Sequence, residues 1–136
     1  MPNEILAKEW LTKAWHDLSS ARILFDVDHF TDSIAIDLQQ AIEKTLKSIM
    51  AYNNEAIKKT HNLLELSELV SGQIDFDQNQ INILGLATLY YTQDRYPTSN
   101  TELPLRDEVK AMLGFAEQLF SKVCRLLQID AEALKQ

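Results

Sequence analysis

Helix-breaking residues are nearly absent from this chain, and their absence constrains the fold more than any motif does. Among 136 residues there are 3 Gly and 3 Pro, so long stretches meet neither the ring that bars helix continuation nor the backbone freedom that weakens it. Apolar residues recur at spacings of three and four. After Asn3, a candidate N-cap, Leu11, Ala14, Trp15, Leu18, Ala21 and Phe25 line one helical face. A second run, from Thr31-Asp32 to Asn53-Asn54, places Ala35, Leu38, Ala41, Ile42, Thr45, Leu46 and Ile49 on one side. Asn62, with Glu65 three residues on, has the form of a capping box opening a short helix that Gly72 stops. The stretch from Asn79 to Gln93 is apolar nearly all round, which predicts a helix either buried centrally or covered by a partner. Pro97 and the polar residues beside it make Arg95 to Thr101 a loop, and Pro104 suits the first turn of a last helix bearing Leu105, Val109, Met112, Leu113, Ala116, Leu119, Phe120, Val123 and Leu127. No strand alternation of any length appears. The prediction is all-α: an up-and-down bundle of four long helices plus a short one, in a single domain over residues 1–136.

Composition narrows the function. A chain of this size, 46% apolar, can hold itself together on one hydrophobic core. Cys124 is the sole cysteine, so neither a disulfide nor a cysteine zinc cage is expected, and the three histidines show no metal-ligand spacing. His61 and Glu65 at i,i+4 are two ligands at most. We therefore expect no metal and no cofactor. No apolar run reaches the length of a membrane span, and the first residues lack the pattern of a secretory leader, which points to the cytoplasm. The net charge of −7 argues against broad binding along duplex DNA or a membrane surface.

Within that acidic background, cations are segregated. Residues 44–61 carry Lys44, Lys47, Lys58 and Lys59 against Glu55 alone, whereas residues 62–94 carry acids and no Lys or Arg. Gln40, Glu43, Lys44 and Lys47 fall in one sector of the second helix, opposite its apolar stripe. That sector is either a solvated face with a weak Glu43–Lys47 pair or one wall of a site for phosphate or an acidic partner. His61 stands just before the short helix, where its ring can bond phosphate or fix the loop to the bundle. Arg95 can fork onto a phosphate or cap the last carbonyls of its helix, and Tyr96 offers a flat face to a base. Arg22 sits near Trp15 and is expected to pack its stem there and reach a carboxylate. Gly85 and Gly114 lie inside helical patterns, which suggests close packing. Ser19-Ser20 near His16 have no orienting acid or oxyanion donor placed by the sequence, so a hydrolytic triad is not expected.

Taken together, Trp15 to Ala21 (W-H-D-L-S-S-A), Gln39 to Lys47 (Q-Q-A-I-E-K-T-L-K), Lys59 to Leu63 (K-T-H-N-L) with Leu66, and Arg95-Tyr96-Pro97 resemble the HEPN domain family, in order and spacing, across roughly residues 10–127. The resemblance implies a four- or five-helix bundle that commonly forms homodimers and is often encoded beside a small nucleotidyltransferase. It implies nucleotide binding, and in many members an RNA-cleaving toxin whose nucleotidyltransferase neighbour is the antitoxin. In those nucleases an Arg is followed four to six residues later by a His, and the pair acts across the dimer. Here no His follows Arg95, and Arg22 precedes His29 by seven. The reading is therefore a non-catalytic accessory subunit with a polar groove of Gln40, Glu43, Lys44, Lys47, Lys59, His61, Arg95 and Tyr96 for a nucleotide. The alternatives are a ribonuclease toxin with a non-standard site and a purely structural dimeric adaptor.

Overall fold

The computed structural model describes residues 1–98 and 102–136. Of the predicted loop, Ser99, Asn100 and Thr101 lie outside the described residues. The helices are α1 (Glu4–Asp26), α2 (Thr31–Tyr52), α3 (Leu63–Leu69), α4 (Gln78–Arg95), α5 (Arg106–Leu126) and a single turn, α6 (Ala131–Leu134). Among the described residues there is no strand, and no helix is long and apolar enough to cross a membrane.

Four of the helices, α1, α3, α4 and α6, begin where a local side chain accepts from a free N–H group. The Asn3 side chain accepts from Leu6 N–H at 3.0 Å. Asp77 and Gln80 form a reciprocal capping box on α4, a start that lies one residue before the predicted one. Asn62 caps α3 through Leu64 N–H, but Glu65 takes no part; its carboxylate accepts from Thr60 Oγ1 at 3.0 Å instead. Pro104 lies outside α5, whose N-cap is Leu105.

The helix α1 buries Ala7, Leu11, Ala14, Leu18 and Ala21, a strict alternation of four and three residues. The alanines let α2 approach closely. Backbone joins the two as well, since Asn3 N–H donates to Tyr52 C=O at 2.8 Å. On the opposite side α5 contributes Val109, Met112, Leu113, Ala116, Leu119, Phe120 and Val123 to the same continuous core. Arg22 anchors the α1–α5 seam with a two-pronged bond to Glu117, Nε to Oε2 at 3.1 Å and Nη2 to Oε1 at 2.5 Å.

The central stave is α2, which packs against α1, α3, α4 and α5. From Ala41 to Ala51 it buries every residue but Lys44. Of the two outcomes expected for the apolar Asn79–Gln93 stretch, burial at the centre or cover by a partner, the first is not found. That helix, α4, buries only Leu84, Ala87 and Tyr91, and it leaves Leu89 half exposed. Nor is the polar sector of α2 a solvated face, because His61 meets Glu43 and two residues of α1, Asp17 and Trp10, meet Lys44 and Lys47.

Candidate functional site

Where α2, α4 and the approach to α3 meet, a line of polar side chains runs through a buried carboxylate. Glu43, whose side chain is only 5% exposed, accepts from three donors. These are Lys47 Nζ at 3.0 Å on Oε2, with Gln39 Nε2 at 3.1 Å and His61 Nδ1 at 2.8 Å on Oε1. Burial by itself raises the carboxyl, but the bonds from His61, Lys47 and Gln39 together hold it below its ordinary range. Glu43 is thus an anion inside the protein, and Lys47, 7% exposed, is its counter-ion. The Lys47 ammonium also lies 5.7 Å from the Trp10 ring centroid on α1. A pair this buried is not the weak surface i,i+4 pair that the sequence allowed, since removing one partner strands the other charge.

His61 is fixed at both ends. Gln39 Nε2, besides meeting Glu43, donates to the His61 carbonyl at 2.8 Å. Thr60 Oγ1 accepts from Asn62 N–H at 3.1 Å, a two-residue turn that Ser and Thr favour. Leu63 N–H then donates to Thr88 Oγ1 on α4 at 3.1 Å. The T-H-N sequence therefore folds as it does because a hydroxyl, a carbonyl and a cap each have a specific partner. The His61 ring, still 53% exposed, lies against the Tyr91 ring with centroids 5.0 Å apart.

Tyr91 continues the line outward. Its hydroxyl accepts from Arg95 Nη1 at 2.9 Å, and the guanidinium carbon lies 5.5 Å from its ring centroid. Among the described residues Arg95 has no carboxylate partner. Tyr96, exposed, follows it as the C-cap of α4.

The predicted site residues therefore divide. Glu43, Lys47, His61 and Arg95 are brought into one connected set. Lys44 turns to α1, where Nζ meets Asp17 at 2.6 Å, and Gln40 donates to Gln39 Oε1 at 2.7 Å. Lys58 reaches Glu65 at 3.6 Å, so three of the four lysines that made residues 44–61 look cationic are compensated. Lys59, exposed, has no carboxylate within ion-pair reach among the described residues. Sequence reasoning did not single out Gln39 or Tyr91, although each stands four residues before a partner it bonds, Glu43 and Arg95. No cluster of three or more His, Cys, Asp or Glu among the described residues is placed to hold a metal.

The architecture has solved counterparts. One is the crystal structure of TT1696 from Thermus thermophilus, similar with a TM-score of 0.74 at 22% identity, over 88% of this chain and 97% of that one. Another is ST0689, described as an archaeal HEPN homologue, with a TM-score of 0.68 at 17% identity over 89% and 97% of the two chains. At such identities the likeness speaks for the fold. No curated protein matches the sequence. The sequence profile of the HEPN domain matches residues 7–127, a span that holds every helix from α2 to α5 and the whole line from Trp10 to Arg95; the chain belongs to the HEPN domain family.

Proposed function

We infer that this protein is a non-catalytic, nucleotide-binding accessory subunit that acts with a small nucleotidyltransferase in a two-component, toxin–antitoxin type system. The observation that supports it most is that an exposed Arg95, without a carboxylate partner among the described residues, and an exposed His61 both contact Tyr91. A guanidinium in that state takes phosphate as a fork, and Tyr96, exposed at the end of α4, offers aromatic surface to a base. Lys59, two residues before His61 and exposed, adds a further cation to that segment. Lys47 and Glu43 serve from behind, because drawing either out to a ligand would strand its buried partner. Lys44, held by Asp17, lies outside the binding set.

The test is a titration with ATP, followed calorimetrically and by thermal unfolding. Saturation at a hundredfold excess over the dissociation constant stabilises the fold by about 2.7 kcal/mol. Arg95→Ala should abolish most of that gain, and Lys44→Ala should preserve it. Absence of any shift with millimolar ATP or GTP would sink the reading. A second copy of the chain would cover the apolar side of α4 at the half-exposed Leu89 and the partly buried Leu86, since an apolar stripe on a small bundle is most readily covered by a two-fold contact. Light scattering should give twice the monomer mass, and Leu89→Lys should halve it.

One feature favours a second reading, a metal-independent ribonuclease. His61 and Arg95 contact the same tyrosine, which puts a base and a charge stabiliser in one neighbourhood. His61 would take the 2′-hydroxyl proton as that oxygen attacks phosphorus, and the departing 5′-oxygen would take one from water. Purified protein that leaves an RNA oligonucleotide intact under conditions where it binds ATP would remove this reading.

A further inference from the structure

The imidazole of His61 has two nitrogens on nearly opposite edges of the ring, and this protein treats them differently. Nδ1 faces Glu43, a carboxylate 5% exposed and held by Lys47 and Gln39. An ionised carboxylate only accepts hydrogen bonds, so the proton between them belongs to Nδ1. In the neutral imidazole that leaves Nε2 bare, as a lone pair. Nε2 has no hydrogen-bond partner among the described residues, and half of the ring's surface is open. The ring cannot turn over to exchange its edges without abandoning Glu43, and Gln39 pins the carbonyl of the same residue.

We propose that Glu43, braced by Lys47 and Gln39, is a positioning residue that presents His61 Nε2 as a hydrogen-bond acceptor, so that the site selects a ribonucleotide by a sugar hydroxyl. The proposal rests on the nucleotide reading for its ligand and on geometry for its mechanism. If His61 accepts, the ligand must donate there, and a phosphate, which carries no proton to give, belongs to Arg95 instead. His61 and Arg95 both contact the ring of Tyr91. In a nucleotide the group joined directly to the phosphate is the ribose, whose hydroxyls donate. A site built to bond a hydroxyl discriminates against the analogue lacking it, because its own polar atom is left without a partner.

Two measurements test this separately. The first uses free protein: nitrogen-15 NMR of the histidine rings at about pH 8, above the ordinary histidine range. His61 should be the Nδ1–H tautomer in the wild type. In the paired variant Glu43→Leu with Lys47→Met, which removes both buried charges together, it should shift to Nε2–H. The second compares ATP with its 2′-deoxy and 3′-deoxy analogues by calorimetry. Loss of one of the two hydroxyls should weaken binding by about three- to tenfold in the wild type, in line with one hydrogen bond, and the paired variant should show no such preference. An Nε2–H tautomer in the wild type overturns the positioning role. Equal affinity for all three nucleotides overturns the selection. Should ATP not bind at all, the nucleotide reading and the selection fall together, while the tautomer, read without ligand, still decides whether Glu43 positions His61.

Discussion

The Glu43–Lys47 pair shows how one residue's burial changes the meaning of a spacing. On an exposed helix an acid and a lysine four apart contribute about 0.2–0.5 kcal/mol. Here both are enclosed, and truncation of one leaves the other charged and unpartnered. Glu43→Ala should therefore lose about 3–5 kcal/mol of stability, whereas Glu43→Leu with Lys47→Met should be close to neutral. Urea denaturation of the three proteins checks this, and equal losses in single and paired variants would show that the carboxylate's other donors dominate. Gly114 makes the opposite point. Its position inside α5 suggested tight packing, yet a methyl added there meets no atom within 4 Å. At Gly85 the nearest contact is an ordinary 3.8 Å to Leu64. Neither glycine is needed for space, so Gly114→Ala should gain about 0.5–1 kcal/mol from helix propensity alone, measurable as a raised urea midpoint.

At the scale of elements, the helices were legible because periodicity and caps are local. The α1 stripe, the Thr31 start of α2 and the Asn3 and Asn62 caps all stand where spacing put them. What could not be read was which polar residues the fold would enclose. Periodicity assigns Glu43 and Lys47 to water because it knows only their own helix; His61 meets Glu43 and Trp10 of α1 meets Lys47, both far away in sequence. For the same reason the sequence left open whether α4 is central or covered by a partner. Its apolar residues are spread round the cylinder; Leu84 and Ala87 enter the core, Ile81, Ile83 and Tyr90 pack partly against it, and Leu89 stays exposed. The cap that starts α4 was missed because Asp77 sits before two glutamines and an asparagine with no apolar repeat yet begun. That cap is reciprocal, Asp77 Oδ1 accepting from Gln80 N–H at 2.8 Å and Gln80 Oε1 from Asp77 N–H at 2.9 Å. Asp77→Ala should cost about 1 kcal/mol, seen in thermal unfolding. Because α4 carries both Tyr91 and Arg95, that loss should appear first as faster amide exchange along α4 rather than through the α1–α2 core.

For the whole molecule, two carboxyls of α2, the buried Glu43 and the partly buried Asp37, pull the pH dependence of stability in opposite directions. Glu43 has its folded value below its ordinary one, the bonds from His61, Lys47 and Gln39 outweighing burial. As pH falls through the ordinary carboxylate range the unfolded chain takes up the proton first, so the stabilisation from Glu43 is complete above that range and is lost as pH descends to the folded value. Asp37 behaves inversely. Burial first, and the charge of Asp17 second, raise its carboxyl, with Lys44 opposing. The folded protein then holds that proton to higher pH than the unfolded chain does, so ionising Asp37 opposes folding above its raised value and ceases to do so below the ordinary one. Asp37→Asn should therefore stabilise the protein at neutral pH and make no difference in strong acid. The variant with Glu43→Leu and Lys47→Met should lose less stability on acidification than the wild type. Urea unfolding free energies measured from neutral pH down through the carboxylate range distinguish these, since the two variants must change the slope of the same curve in opposite windows. A wild-type curve whose acid slope survives in the paired variant would place the acid-sensitive carboxylate elsewhere and would remove the charged Glu43 on which the orientation of His61 depends.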